Sequence, residues 1–217
     1  GRRCPFWRQF AARRHAAENR TGTSGLVRRA RFSRAARHQA LEAASHLAHA
    51  AACSKVQELE ARHGERRGWV WARLGWSPWA KALEPLAQLA RAAQAPVGGG
   101  TLTAAAAAYA ESGWRCDAAA MEALALFRSG AEAALVAQVV RALYEPWLEA
   151  SARHFQSLVA GDARAAREAV GEAPAEAETC LLFVDGLRFD LAGKLAALLE
   201  ERSMKVHLTW RLAALPP

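Results

Sequence analysis

The sequence predicts a mostly α protein, a helical bundle followed by the first strand-helix-strand unit of an α/β domain. Three observations carry this. Alanine- and leucine-rich segments of helical period fill the chain from Val27 to Val170, with short Gly and Pro interruptions. The run Cys180-Leu181-Leu182-Phe183-Val184 is apolar at every position and stops at Asp185-Gly186, as a strand covered on both faces stops at a turn. Between them, Glu172-Ala173-Pro174-Ala175-Glu176-Ala177-Glu178 is short, acidic and proline-bearing, the clearest boundary in the chain. The expected organisation is a basic, disordered arm over 1–40, a helical region over 41–170, a linker over 171–179, and the start of the α/β domain over 180–217.

Within the helical region, a helix is expected from Val27 to Arg62, closed near Gly64, and a second from Trp79 to Ala95, closed by Pro96 and the run Gly98-Gly99-Gly100. Thr101 or Thr103 is placed to cap a helix over Ala104 to Glu111, ended by Ser112-Gly113. Asp117 then opens a helix through Phe127, and Gly130 punctuates it. Ala131 to Val170 reads as helix with a bend or break at Pro146, because proline removes one backbone donor and crowds the preceding turn. Short connections favour antiparallel neighbours, hence a bundle.

After the strand ending at Asp185, Leu191, Leu195, Leu198 and Leu199 fall at i, i+4, i+7 and i+8, one stripe of a helix with Asp190 at the N-cap position. Met204, Val206, Leu208 and Trp210 then alternate with Lys205, His207 and Thr209, the period of a second strand. A right-handed parallel crossover is the default for such a unit, and ligands of open α/β sheets bind at the carboxyl ends of strands. Asp185 is therefore a site candidate, against the plainer reading that an Asp-Gly pair is a turn.

Leu182-Phe183-Val184-Asp185-Gly186-Leu187-Arg188-Phe189-Asp190-Leu191-Ala192, the leucine-rich helix and Leu212-Ala213-Ala214-Leu215-Pro216 resemble the opening of a PglZ domain. PglZ proteins belong to the alkaline phosphatase superfamily and accompany bacterial BREX phage-defence systems. The upstream segment with Tyr144-Glu145-Pro146-Trp147-Leu148-Glu149 and Phe155-Gln156 is also similar, so the resemblance covers residues 69 to 217. It implies a metal-dependent phosphohydrolase in which Asp185 is the first ligand of a divalent metal (Zn, Mn or Mg), other defence-system proteins are partners, and the hydroxyl nucleophile lies just past Pro217. This chain is then expected to be an inactive N-terminal fragment, in keeping with a first residue, Gly1, that is not Met. Arg188 stays open between a role in the site and a structural ion pair, and Asp190 is read as the cap. A haloacid-dehalogenase-type site needs an Asp at Leu187, and a dinucleotide fold needs a glycine-rich turn absent from this segment.

Charge is unevenly spread. Residues 1–100 carry 18 basic and 6 acidic side chains, while 101–217 carry 11 and 15. Eleven arginines precede residue 41 against Glu18 alone, with Arg13-Arg14 and Arg28-Arg29 among the pairs. Such an arm suits salt-sensitive contact with nucleic acid, although a solvated basic tail has the same composition. The alternative function is accordingly a non-enzymatic helical adaptor whose arm touches nucleic acid.

Four cysteines without C-x-x-C spacing read as reduced thiols of a cytoplasmic protein. The uncharged run Ala92 to Ala110 is too weakly apolar, and too broken by Pro96, to cross a membrane. Trp69, Trp71, Trp76 and Trp79 lie among Arg66, Arg67, Arg73 and Lys81, a pattern that suits base stacking but more often marks core or interface. His46, His49 and Cys53 share a helix face with Glu42 one turn earlier, and would hold zinc only with a fourth ligand from elsewhere.

Overall fold

The computed structural model describes residues 38–75, 77–127, 130–161, 182 and 184–210. The chain divides into two compact units, Gly1–Ala43 and Ala44–Pro217. The second unit is mostly helical, and its bundle begins with α1 (His49–His63), which buries Ala52, Cys53, Val56 and Leu59 at i, i+1, i+4 and i+7. A 3₁₀ turn over Gly64–Gly68 and the one-turn helix α2 (Val70–Arg73) lead to α3 (Pro78–Ala92). Proline at the first turn of α3 costs no hydrogen bond, since that N–H has no partner in any helix. α3 is the central helix, packing on α1 and on α5 (Trp114–Ala125).

Nearly every apolar residue of α3 is buried, among them Leu83, Leu86 and Leu89, each contributing about 1.5–3 kcal/mol of transfer free energy. α5 meets α3 through Cys116, Ala118, Ala119, Ala120 and Ala123, whose small side chains let the two helices approach closely. α6 (Gly130–Gly161) covers the bundle with Leu135, Val136, Val139, Val140, Leu143 and Trp147, all in its N-terminal half or close to its middle. Pro146 lies within α6 without ending it: the ring is exposed, so the carbonyl it leaves without a donor can turn to water.

The link from α3 to α4 (Leu102–Ala108) is pinned to α6. Val97 N–H donates to Ser151 Oγ at 3.0 Å, and His154 Nε2 lies 2.7 Å from the Gly99 carbonyl oxygen. Gly99 has φ +126°, and a Cβ there would lie 2.5 Å from the Ala105 nitrogen, so glycine is required. Thr101 Oγ1 accepts from Ala104 N–H at 3.1 Å, the cap expected of Thr101.

Several boundaries differ from the sequence expectation. Residues 38–45 are helical, but a turn at His46 and Leu47 interrupts the single helix expected from Val27 to Arg62. Ser112-Gly113 does not stop the chain either. A π turn, Tyr109–Gly113, carries α4 into α5, which starts at Trp114 rather than Asp117. A Cβ at Gly113 would lie 2.9 Å from Tyr109 Cδ2, so this glycine makes room for a ring instead of ending a helix.

The last described helix is α7 (Phe189–Glu201), which packs on α5. Among the described residues there is no strand. Residues 204–210, expected as a strand, lie in no ladder there, and of the expected strand over 180–184 only Leu182 and Val184 are described. The linker expected at 171–179 lies outside the described residues.

Candidate functional site

Asp185 and Gly186 form the turn before α7. Gly186 has φ +66°, a left-handed conformation that glycine adopts without penalty. The turn leaves Asp185 exposed to solvent. Arg188, extended at φ −67° and ψ 147°, is the residue that caps α7, and its carbonyl accepts the first helical bonds from Leu191 and Ala192.

Asp190 is therefore not the N-cap. It sits inside the first turn, is only 2% exposed, and makes no cap hydrogen bond. Arg188 Nε and Nη2 donate instead to its two carboxylate oxygens, at 2.9 and 2.8 Å. A carboxylate buried this deeply needs such a partner, and the planar guanidinium satisfies both oxygens at once. The bonds to Asp190 hold the guanidinium above its ordinary pKa, and the nearby Asp117 adds to the effect. Of the two roles left open for Arg188, the ion pair is what the geometry displays.

Asp117 forms a second polar centre. The chain's two tyrosines both donate to it, Tyr109 to Oδ2 at 2.5 Å and Tyr144 to Oδ1. Burial first, and the carboxylate second, push both phenols above their ordinary range, so both remain protonated donors. Sequence alone reads Asp117 as the start of a helix and does not reveal this arrangement. The only signal it offers is that a chain with two tyrosines places one on either side of an acid.

These centres lie where α7 meets the bundle. The rings of Phe189 and Tyr109 are 5.9 Å apart, Gly193 lies against the indole of Trp114, and Lys194 Nζ pairs with Glu122 at 2.7 Å. α7 thus docks through one aromatic ring, a glycine and charged side chains. Three residues of its leucine stripe point elsewhere, Leu191, Leu195 and Leu198 being 48%, 49% and 52% exposed, while Leu199 is half-buried. Leu182, Val184, Met204 and Leu208 are exposed as well.

The other candidates separate. Arg13, Arg14, Arg28, Arg29 and the chain end at Pro217 lie outside the described residues. His46 is exposed in a turn, whereas Cys53 is buried and its Sγ lies 3.6 Å from His49 Nε2, which also reaches the Leu143 carbonyl at 3.0 Å. His49 and Cys53 are packing residues of α1, and burial raises the Cys53 thiol pKa. Of the tryptophans, Trp79 is core, its indole N–H donating to Glu132 Oε1 at 3.0 Å and its ring packed on Phe127. Trp69 is 57% exposed with Arg66 over its ring.

No group of three or more His, Cys, Asp or Glu among the described residues could hold a metal ion. Asp185 alone does not make a metal site, so what is described fits, at most, one ligand of a larger set. No described helix is long and apolar enough to cross a membrane. No protein-family model, curated protein or solved structure matches the chain.

Proposed function

We propose that the chain is the N-terminal part of a PglZ-like, metal-dependent phosphohydrolase of a bacterial phage-defence system. The helical bundle is its assembly module, and residues 180–217 are the first strand-helix-strand unit of its α/β domain. Asp185 contributes one carboxylate to a divalent metal whose other ligands, with the hydroxyl nucleophile, belong to chain beyond Pro217. The bound metal would activate the nucleophile and neutralise charge on the phosphoryl oxygens.

One observation carries the reading: α7 sets Phe189, Gly193 and Lys194 on the bundle and leaves Leu191, Leu195 and Leu198 about half exposed. A helix with one apolar stripe normally buries that stripe on its nearest neighbour. A crossover helix of an α/β domain instead keeps it for the sheet beside it. In the proposed domain the exposed Asp185-Gly186 turn at the head of that helix would follow the first strand, and the carboxyl ends of such strands are where ligands bind.

The test is hydrolysis of p-nitrophenyl phosphate and bis-p-nitrophenyl phosphate by the full-length protein with added Zn, Mn or Mg. Turnover should vanish in Asp185→Ala, and the present chain should have none. Undiminished turnover in that variant removes Asp185 from the site.

A second reading, an adaptor that touches nucleic acid, is favoured by the separation of Gly1–Ala43 as its own unit and by the eleven arginines of residues 1–40. A truncation starting at Leu41 should lose salt-sensitive DNA binding. Unchanged affinity rejects this reading.

A further inference from the structure

We infer that the bundle carries a binding site for a small organic phosphate, separate from the Asp185 turn. A cavity of about 710 Å³ opens between the end of α3, the start of α5 and the middle of α7. That volume lies within the range of small-molecule sites, roughly 300–1,000 Å³.

Its charged lining is Arg91 from α3, Arg115 and Glu122 from α5, and Lys194 from α7. Three cations thus face one carboxylate. Arginine and lysine that line one cavity from three separate elements hold a phosphate more strongly than the same charges spread over an open surface. Each of the two best-defined cations keeps donors to spare. Lys194 has three N–H groups and directs one at Glu122, at 2.7 Å. Arg115 has five, one of them on the Glu111 carbonyl oxygen at 3.0 Å, while its guanidinium lies 5.4 Å from the centroid of the Trp114 ring.

The rest of the wall is mostly apolar, Val97, Ala118 and Trp147 among it, with Gln88 and Ser112 as its uncharged polar side chains. An inorganic ion would leave that surface in contact with water, whereas an organic phosphate covers it with its body and presents its head to Arg91, Arg115 and Lys194. An adjoining cavity of about 460 Å³ shares Val97 and Trp147 but carries Asp117 and no lysine or arginine, so the cationic lining belongs to the larger space.

Because Lys194 belongs to α7, an occupant would join that helix to the bundle. Binding should therefore also protect the C-terminal segment from proteolysis.

The experiment is a calorimetric titration of the intact chain with ADP, phenyl phosphate and inorganic pyrophosphate. Arg91→Ala/Arg115→Ala should weaken ADP binding by about tenfold or more, and Glu122→Gln, which removes the one carboxylate in the wall, should tighten it. A misfolded variant cannot bind more tightly, so the second result separates charge from damage. ADP and phenyl phosphate should each bind more tightly, per phosphate charge, than pyrophosphate. The inference is overturned by ADP affinity unaltered in the double variant, which would place the anion on the arginine-rich arm. It is equally overturned by weaker or unchanged binding in Glu122→Gln, by pyrophosphate matching the organic ligands, or by no measurable binding.

Discussion

Gly193 seats α7 against Trp114 so closely that a Cβ on this glycine would lie 3.2 Å from two carbons of the indole. The contact sets the distance between the last described helix and the bundle. Gly193→Leu should therefore destabilise the chain by about 1–3 kcal/mol through overpacking and speed proteolysis near α7. Gly68→Ala, where a Cβ meets nothing within 4 Å, is the control. Equal urea midpoints for the two variants would show that α7 does not depend on this approach.

Asp117 accepts from both tyrosines, so removing one phenol leaves the carboxylate with a single donor from this pair. Tyr109→Phe and Tyr144→Phe should each cost about 1.5–3 kcal/mol, the range for hydrogen bonds to a charged group. Their effects should not add, because they share an acceptor. Strict additivity in a double-mutant cycle would mean that the two bonds act independently.

Glu60 governs part of the acid response. Its Oε2 is buried with no hydrogen-bond partner among the described residues, and burial raises its pKa above the ordinary 4.5 despite the opposing pull of Arg67. The folded chain then holds this proton more tightly than the unfolded chain. Its stabilising contribution is complete below 4.5 and is lost as pH rises through the folded value. Glu60→Gln should flatten that decline in urea midpoints measured across the window. An identical slope in the variant would assign the dependence to other groups.

Cys53 and Cys116 are both buried and free, and burial lifts both thiols, Cys116 to about 12. Little thiolate exists at neutral pH, so both should resist alkylation until the bundle unfolds. Peptide mapping after iodoacetamide treatment, with and without urea, checks this. Rapid labelling of Cys116 in the native chain would show that α5 opens readily.

Trp79 combines core packing with one directed bond, from its indole N–H to Glu132. Trp79→Phe keeps most of the apolar volume but leaves Glu132 without that donor, and should cost less than Trp79→Ala, for which about 3–5 kcal/mol is expected. Comparable losses in thermal melts would place the value of the residue in the hydrogen bond rather than the ring.

The residues themselves determined the helical architecture. Apolar positions at helical spacing, as in α1 and α3, leave one way to bury them, and Thr101 before an alanine run can satisfy an open backbone donor wherever the helix goes. Asp185-Gly186 is legible as a turn for the same local reason. Tertiary structure decided what local pattern leaves open. Gly113 stops a helix in isolation, yet with the Tyr109 ring filling its missing side chain it joins α4 to α5 through a π turn. Asp190 has the spacing of a cap, yet it is a buried carboxylate paired with the half-exposed Arg188. The leucines of α7 predict a buried face but not which neighbour covers it, and the bundle takes the glycine face instead. Periodicity reports that a face is apolar; the partner it meets depends on contacts between residues far apart in the chain.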